Sequence, residues 1–225
     1  MARELAIEWL GTVPYREALE LQEKCVEARR TGAAADRLLL LEHPPVITLG
    51  RGARSDTLLA SRAELAARGI DVHRVSRGGD ITYHAPGQLV GYLILDLDAR
   101  GERDVHAFLR SIEEMLGDAL LELGVPTRTL AGYTGLFVRS GDDAPAAERP
   151  RKIASIGVGV RGWVTYHGFA LNVDPDLRGF DAIIPCGLDF VEMTSIAREL
   201  AGAAQPDLAA RARAAVGAAC ANRWR

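Results

Sequence analysis

The sequence has few lysines, few cysteines and no long apolar run. Only 2 of its 27 basic residues are lysines, Lys24 and Lys152, and it contains 3 cysteines. The longest unbroken run of Leu, Ile or Val is 38–41, far below the ~20 apolar residues that cross a bilayer. Residues 1–10 include charged side chains and lack the apolar core of a signal peptide. We therefore expect a cytoplasmic protein without a membrane partner.

The charge balance excludes a further class of partner. The chain has 27 basic and 30 acidic residues, a net charge of −3, and no block of basic residues. Proteins that bind nucleic acid concentrate positive charge, so we do not expect nucleic acid as the main partner. Cys25, Cys186 and Cys220 are widely spaced and odd in number, which predicts neither a disulfide framework nor a zinc site.

Length and composition indicate one ordinary globular unit. The 225 residues are 48% hydrophobic and 25% charged, which is typical of soluble domains, and a chain of this length buries a sizeable core. No internal repeat or low-complexity linker divides it. We predict a single α/β domain over 1–225, with the C-terminal helices, about 194–222, packed on it.

Apolar periodicity predicts strands that alternate with helices. The predicted strands are 4–10, 37–42, 46–49, 70–76, 89–97, 134–139, 152–160, 163–173 and 182–184. The predicted helices are 14–30, 61–68, 104–123, 194–201 and 206–222. The polar, proline-containing segment 140–150 predicts a surface loop.

The most unusual segment is 77–88, with the sequence RGGDITYHAPGQ. Paired glycines allow a ligand to approach the main chain closely, and Arg77, His84 and Gln88 add a cation and hydrogen-bonding groups. The alternative is an ordinary hairpin turn. The spacing matches neither the dinucleotide-binding nor the Walker glycine pattern, so no phosphate site is predicted.

Two further side chains are candidates for chemistry. Cys186 lies between Pro185 and Gly187, a turn context that favours exposure, whereas Cys25 and Cys220 fall in predicted helices and are expected to be buried. Lys152 begins a predicted strand in a chain that otherwise uses arginine. Lysine can lose its proton in a desolvated site, and arginine cannot. The alternative is a solvated cation at a strand end, as we expect for Lys24.

The histidines give weaker signals. His167 either lines a pocket or ends a strand, and the adjacent Gly168 favours the pocket. His43, His73 and His106 have no metal-ligating residues at suitable spacing, so we predict no metal site.

Together these segments resemble the lipoate-protein ligase B family, the octanoyltransferases of lipoate biosynthesis. The resemblance lies in Arg-Gly-Gly, Thr-Tyr-His and Gly-Gln within 77–88, followed in the family's order by 151–157, 167–172 and 184–187. It spans about residues 5–200. One departure is Ala85, where the family usually has glycine, which puts the shape of that loop in question.

The resemblance implies transfer of an octanoyl group from acyl carrier protein, through a thioester on Cys186, to a specific lysine of lipoyl domains. These acceptors belong to 2-oxoacid dehydrogenases and to the glycine cleavage H protein. It implies no ATP, cofactor or metal, and a single mixed-sheet α/β domain of the biotin protein ligase and lipoate ligase catalytic type, flanked by helices. Lys152 is implied as the catalytic partner of Cys186. The implied substrate-binding residues are Arg77, Gly78, Gly79, Asp80, Ile81, Thr82, Tyr83, His84, Ser155, Ile156, Gly157, Gly168, Phe169 and Ala170.

Three alternatives remain open from the sequence. An ATP-dependent lipoate or biotin ligase would use the lysine to hold an acyl-adenylate and would need no thiol. A non-catalytic module would hold acyl chains on a carrier protein, and a cysteine hydrolase would release free acid. The residue context of Cys186 and the segment 82–88 favour the transferase.

Overall fold

A computed structural model describes residues 5–139, 149–200 and 205–225. The predicted surface loop over 140–150 therefore lies outside the described residues, except for its last two positions. The described residues contain eleven strands: β1 Leu5–Thr12, β2 Asp36–Glu42, β3 Val46–Leu49, β4 Asp71–Arg74, β5 Ile81–His84, β6 Gln88–Ile94, β7 Thr127–Leu130, β8 Tyr133–Val138, β9 Arg151–Arg161, β10 Val164–Asn172 and β11 Glu192–Met193. They also contain six α-helices: α1 Tyr15–Arg30, α2 Arg62–Ala67, α3 Leu97–Arg100, α4 Val105–Glu122, α5 Ile196–Glu199 and α6 Leu208–Trp224.

Most strands form one mixed sheet. Its order is β1-β2-β6-β10-β9-β8-β7, and β11 pairs with β9. The β1–β2 and β9–β11 pairs are parallel, whereas the other neighbours are antiparallel. The predicted mixed α/β class is confirmed. That the whole chain is one domain stays a prediction.

The sheet is covered on both faces, which explains the unbroken leucine run of β2. Side chains alternate between faces along a strand. Leu38 and Leu40 pack in the cluster that contains α4 and α6 residues, while Leu39 and Leu41 pack with α1 residues. A strand buried on both faces has no polar side to show.

A second, three-stranded sheet in the order β4-β3-β5 has its own apolar cluster. The predicted strand 182–184 is wrong, because a 3-10 helix occupies Leu177–Ala182 and Ile183 forms only an isolated bridge to Leu58. Ala182 and Ile183 instead pack into the cluster of the small sheet. This places Pro185–Gly187 at the junction of the two sheets, where β5 contacts it.

Candidate active site

A cavity of about 220 Å³ lies between the two sheets, and most of the residues implied by the sequence line it. Those that do are Cys186, Lys152, Arg77, Gly79, Asp80, Thr82, His84, Ser155, Ile156, Gly157, Gly168, Phe169 and Ala170. His167, which the sequence placed in a pocket or at a strand end, also lines it. The fold thus brings together segments that are distant along the chain.

Three of the implied residues lie elsewhere. In β5, Thr82 and His84 face the cavity, and the alternation of a strand turns Ile81 and Tyr83 to the opposite face. There they join the core of the small sheet, where the Tyr83 ring meets the Phe180 ring edge-on at 5.4 Å. The backbone N–H of Gly78 donates to the Val158 carbonyl at 2.9 Å, so it is committed to holding the loop.

The cavity brings the Lys152 amine against the Cys186 sulfur. Lys152 Nζ donates to Sγ at 3.3 Å and to the Thr134 carbonyl at 3.0 Å. The lysine is 2% exposed, and its Nζ lies 5.5 Å from the centre of the Phe137 ring. The amine and the sulfur are therefore within proton-transfer reach of each other.

The loop that carries Cys186 has an unusual backbone. Cys186 has φ +55° and Gly187 has φ +68°, a left-handed conformation that is uncommon for a residue with a side chain. The loop is tied down by the Ile184 N–H, which donates to Thr57 O at 2.8 Å. Asp80 lies so close to Gly187 that an added Cβ would come within 2.8 Å of Oδ2. The strained conformation keeps Sγ directed at the lysine.

The approach of the lysine depends on Gly135. Its φ is +121°, and a Cβ there would lie 2.5 Å from the Ala154 carbonyl and 2.8 Å from Lys152 Cε. Glycine is therefore required both by the backbone conformation and by the close packing.

Arg77 provides a fixed, buried cation on the cavity wall. Its Nη2 donates to the Thr48 carbonyl and hydroxyl, both at 2.8 Å, and its Nη1 donates to the Gly78 carbonyl at 3.0 Å. Burial lowers the pKa of this guanidinium. Its described contacts are with neutral oxygens, so its charge acts on the cavity.

Three buried histidines are held neutral behind and along the cavity. Burial lowers the pKa of His43 to about 4 and that of His84 and His167 to about 3. His84 Nδ1 donates to Gln88 Oε1 at 2.7 Å, and Gln88 Nε2 donates to Asn172 Oδ1 at 2.8 Å. This network fixes the loop between β5 and β6.

The departure from the family at position 85 is accommodated. Ala85 is buried and does not have a positive φ. The left-handed position is Gly87, with φ +83°, where a Cβ would lie 2.4 Å from the Asp174 carbonyl.

Other candidates lie away from the cavity, as expected. Lys24 is exposed on α1, and Cys25 and Cys220 are buried in α1 and α6. Burial raises the pKa of Cys220 to about 12, which disfavours its thiolate form.

Sequence reasoning missed several lining residues. They are Tyr15, Val90, Tyr92, Gly132, Tyr133, Thr134 and Leu188. Most of them belong to elements predicted for other reasons, and only the glycines of 131–135 (AGYTG) signal a special backbone.

The described part of the chain holds neither a candidate metal cluster nor a candidate membrane-spanning helix. Residues 5–139, 149–200 and 205–225 contain no group of three or more His, Cys, Asp or Glu side chains suited to a metal ion. Among the described helices, none combines the length and the apolar composition that a bilayer span requires.

Comparison with known proteins identifies close relatives. Residues 14–216 match the family described as the lipoyl protein ligase A/B catalytic domain. An octanoyltransferase from Acidobacterium capsulatum is 47% identical over 197 residues, which cover 85% of this chain and 78% of that protein. One from Chloroflexus aurantiacus (strain J-10-fl) is 48% identical over 199 residues, covering 88% and 85%.

Two solved structures share the fold at low identity. A lipoate-protein ligase A bound with ATP aligns with a TM-score of 0.72 and 16% identity, over 99% of this chain and 85% of that one. The bi-partite lipoate protein ligase of Thermoplasma acidophilum aligns with a TM-score of 0.71 and 16% identity, over 99% and 84%. The predicted catalytic fold of the lipoate ligase type is confirmed.

Proposed function

This chain belongs to the lipoate-protein ligase B family and is an octanoyl-transferring enzyme of protein lipoylation, and on that premise we propose its chemical route. The octanoyl group comes from acyl carrier protein, is held as a thioester on Cys186, and passes to the specific lysine of a lipoyl domain. The acceptors are the lipoyl domains of 2-oxoacid dehydrogenases and the glycine cleavage H protein.

The observation that carries the proposal is the 3.3 Å contact between Lys152 Nζ and Cys186 Sγ within the cavity. A nucleophile and its proton partner must lie within hydrogen-bonding reach. The N-to-S hydrogen bond meets this requirement before any substrate is bound.

In the first half-reaction, the Cys186 thiolate attacks the carbonyl carbon of the octanoyl thioester. The new bond from Sγ to that carbon forms, the bond to the carrier's sulfur breaks, and the Lys152 ammonium donates a proton to the leaving thiolate. The products are an octanoyl thioester on Cys186, the free carrier thiol and neutral Lys152.

In the second half-reaction, neutral Lys152 takes a proton from the ammonium of the acceptor lysine. The freed amine attacks the Cys186 thioester, the amide forms, and Sγ leaves as a thiolate. The attacking nitrogen loses a second proton to solvent, which completes the neutral amide and leaves Cys186 as the thiolate and Lys152 as the ammonium, as at the start. Converting a thioester to an amide is downhill, so this route needs neither ATP nor a metal.

The cavity wall is assigned to the acyl group. Arg77, Gly79, Asp80, Thr82 and His84 line it from β5 and the loop before β5, and Ser155, Ile156, Gly157, Gly168, Phe169 and Ala170 line it from β9 and β10. Burying an eight-carbon chain against the apolar members contributes ~0.8 kcal/mol per methylene. Gly78, Ile81 and Tyr83 support this wall from behind.

The test compares two sets of substrates with an apo lipoyl domain as acceptor. Octanoyl-carrier protein without ATP is expected to give octanoylated domain, whereas free octanoate with ATP is expected to give none. The Cys186→Ser variant should give none with either set. Product from octanoate and ATP, or near-normal turnover by Cys186→Ser, would overturn the proposed route.

A further inference from the structure

Glu113 is a buried carboxylate that the route described above does not use. It lies on α4, and its side chain is 2% exposed. Burying a carboxylate costs free energy unless it is well paired, yet its charged partner, Arg110 on the same helix, is itself 48% exposed. Its other contact points toward the active site.

That contact is with the peptide group next to Lys152. Glu113 Oε1 accepts a hydrogen bond of 2.8 Å from the Gly135 N–H. The same peptide group carries the Thr134 carbonyl, which accepts the 3.0 Å hydrogen bond from Lys152 Nζ. Carboxylate, peptide, amine and sulfur therefore form one continuous chain of hydrogen bonds that ends at Cys186.

Such a chain transmits electrostatic polarisation from one end to the other. Hydrogen bonds in series polarise one another in a medium of low dielectric constant. A carboxylate that accepts the N–H hydrogen bond pushes electron density through the peptide onto the carbonyl oxygen. That oxygen becomes a better acceptor for an ammonium. A negative charge nearby also favours the ammonium form directly.

We propose that Glu113 is a positioning residue that acts on Lys152 through the Thr134–Gly135 peptide, fixing the amine beside Cys186 and favouring its ammonium form. This role rests on the proposed function of the pair, because the first half-reaction needs an ammonium to protonate the leaving thiol. Removing the charge of Glu113 should therefore slow acylation of Cys186 more than transfer from the loaded enzyme.

A purely structural role makes a different prediction. The Gly135 N–H lies where the pairing of β8 with β9 shifts register between Leu136 and Phe137, so it needs an acceptor. Glu113→Gln keeps an oxygen acceptor and removes the charge. If Glu113 served only to accept this N–H, Glu113→Gln would leave the titration of Lys152 unchanged.

The lysine content of the chain allows a direct measurement. With ¹³C label on lysine Cε, the protein gives two signals, from Lys24 and Lys152, which Lys24→Arg assigns. We expect Glu113→Gln to move the titration midpoint of Lys152 to lower pH by about half a unit or more. Lys24 is the internal control, and Glu114→Gln, the loss of an exposed carboxylate beside Glu113 on the same helix, is the matched variant.

A second variant keeps the test decisive if Glu113→Gln fails to fold. The groups that act electrostatically on Glu113 are Arg110, Glu114 and Lys152, and Lys152 itself faces Cys186. Arg110→Gln removes a half-exposed cation and leaves the carboxylate less neutralised, so the midpoint of Lys152 should move to higher pH. Unmoved midpoints in both variants would overturn the proposal. The titration needs no octanoyl substrate, so this failure is distinguishable from failure of the proposed function.

Discussion

At the scale of single residues, scarcity was the informative signal. The sequence indicates a special role for Lys152 because the chain otherwise uses arginine. In the structure Lys152 is buried, whereas Lys24 is exposed. Glu113 and Thr134 gave no such signal. The chain has many acidic residues, and a backbone carbonyl leaves no trace in a sequence.

Replacing Lys152 with arginine separates charge from proton transfer. Arginine keeps a cation but does not give up its proton at neutral pH. We expect transfer to the acceptor lysine to fall at least about 100-fold in single turnovers, with a smaller loss in formation of the Cys186 thiolate, measured as its rate of alkylation by iodoacetamide. Lys24→Arg is the control and should match the wild type. Equal losses in transfer and in thiolate formation would contradict the dual role of Lys152.

Gly135→Ala tests the close packing around the lysine. The added Cβ would meet the Ala154 carbonyl and Lys152 Cε, so the amine must shift from Cys186. We expect activity to fall by about 100-fold, since a displacement of about 1 Å costs that much. The control is Gly117→Ala in α4, where the nearest atom is 3.7 Å away and stability should rise by about 0.5–1 kcal/mol. Normal activity in Gly135→Ala would contradict this account.

At the scale of elements, periodicity predicted the long strands and helices and some of the short elements, such as β3, β4 and α2, but not others. β2, β10 and α4 lie close to their predicted bounds. β5, β7 and β11 were not predicted, because a run of two to four residues seldom shows a period of its own. The apolar run at 182–184 suggested a strand, but Ala182 and Ile183 pack instead into the apolar cluster of the small sheet.

The start of α4 offers a stability test at this scale. Asp104 accepts hydrogen bonds from the backbone N–H groups of His106 and Ala107, at 2.9 and 3.0 Å. Asp104→Ala should lower the free energy of unfolding by about 1 kcal/mol, as measured by urea denaturation. Asp104→Asn keeps an acceptor and should recover most of the loss. An unchanged unfolding midpoint in Asp104→Ala would show that this cap does not stabilise α4.

At the scale of the whole molecule, the site exists only because the two sheets meet. Cys186 follows Ala182 and Ile183, which pack on the small sheet, and Lys152 lies in the large sheet. The loop after β4 lies between the two sheets. The residue types of the site could be predicted from the sequence by resemblance. The sheet face to which each side chain points could not be predicted. Ile81 and Tyr83 were therefore assigned to the cavity, whereas they lie in the core of the small sheet.

The buried histidines should make the whole fold sensitive to acid. Their pKa values, about 4 for His43 and about 3 for His84 and His167, lie below the ordinary value of about 6.5. The unfolded chain therefore binds more protons below pH 6.5, and stability falls as pH decreases from there toward the folded pKa values. Between pH 7 and 5 we expect a loss of about 1–2 kcal/mol per histidine.

Urea denaturation at pH 7, 6 and 5 measures this loss. His106→Gln removes a histidine that is exposed at the start of α4. This variant should lose as much free energy of unfolding between pH 7 and 5 as the wild type. Equal stability at pH 7 and pH 5 would show that the three buried histidines are not held neutral.

The central claim is that Cys186 carries the octanoyl group, and intact-mass spectrometry followed by peptide mapping tests it most directly. After incubation with octanoyl-carrier protein and no acceptor, the enzyme should gain the mass of one octanoyl group in place of one hydrogen. The mapped adduct should lie on Cys186 and disappear when the apo lipoyl domain is added. The account would be contradicted by a wild-type enzyme that transfers the octanoyl group without ever gaining this mass. An adduct mapped to Cys25 or Cys220 would contradict it as well.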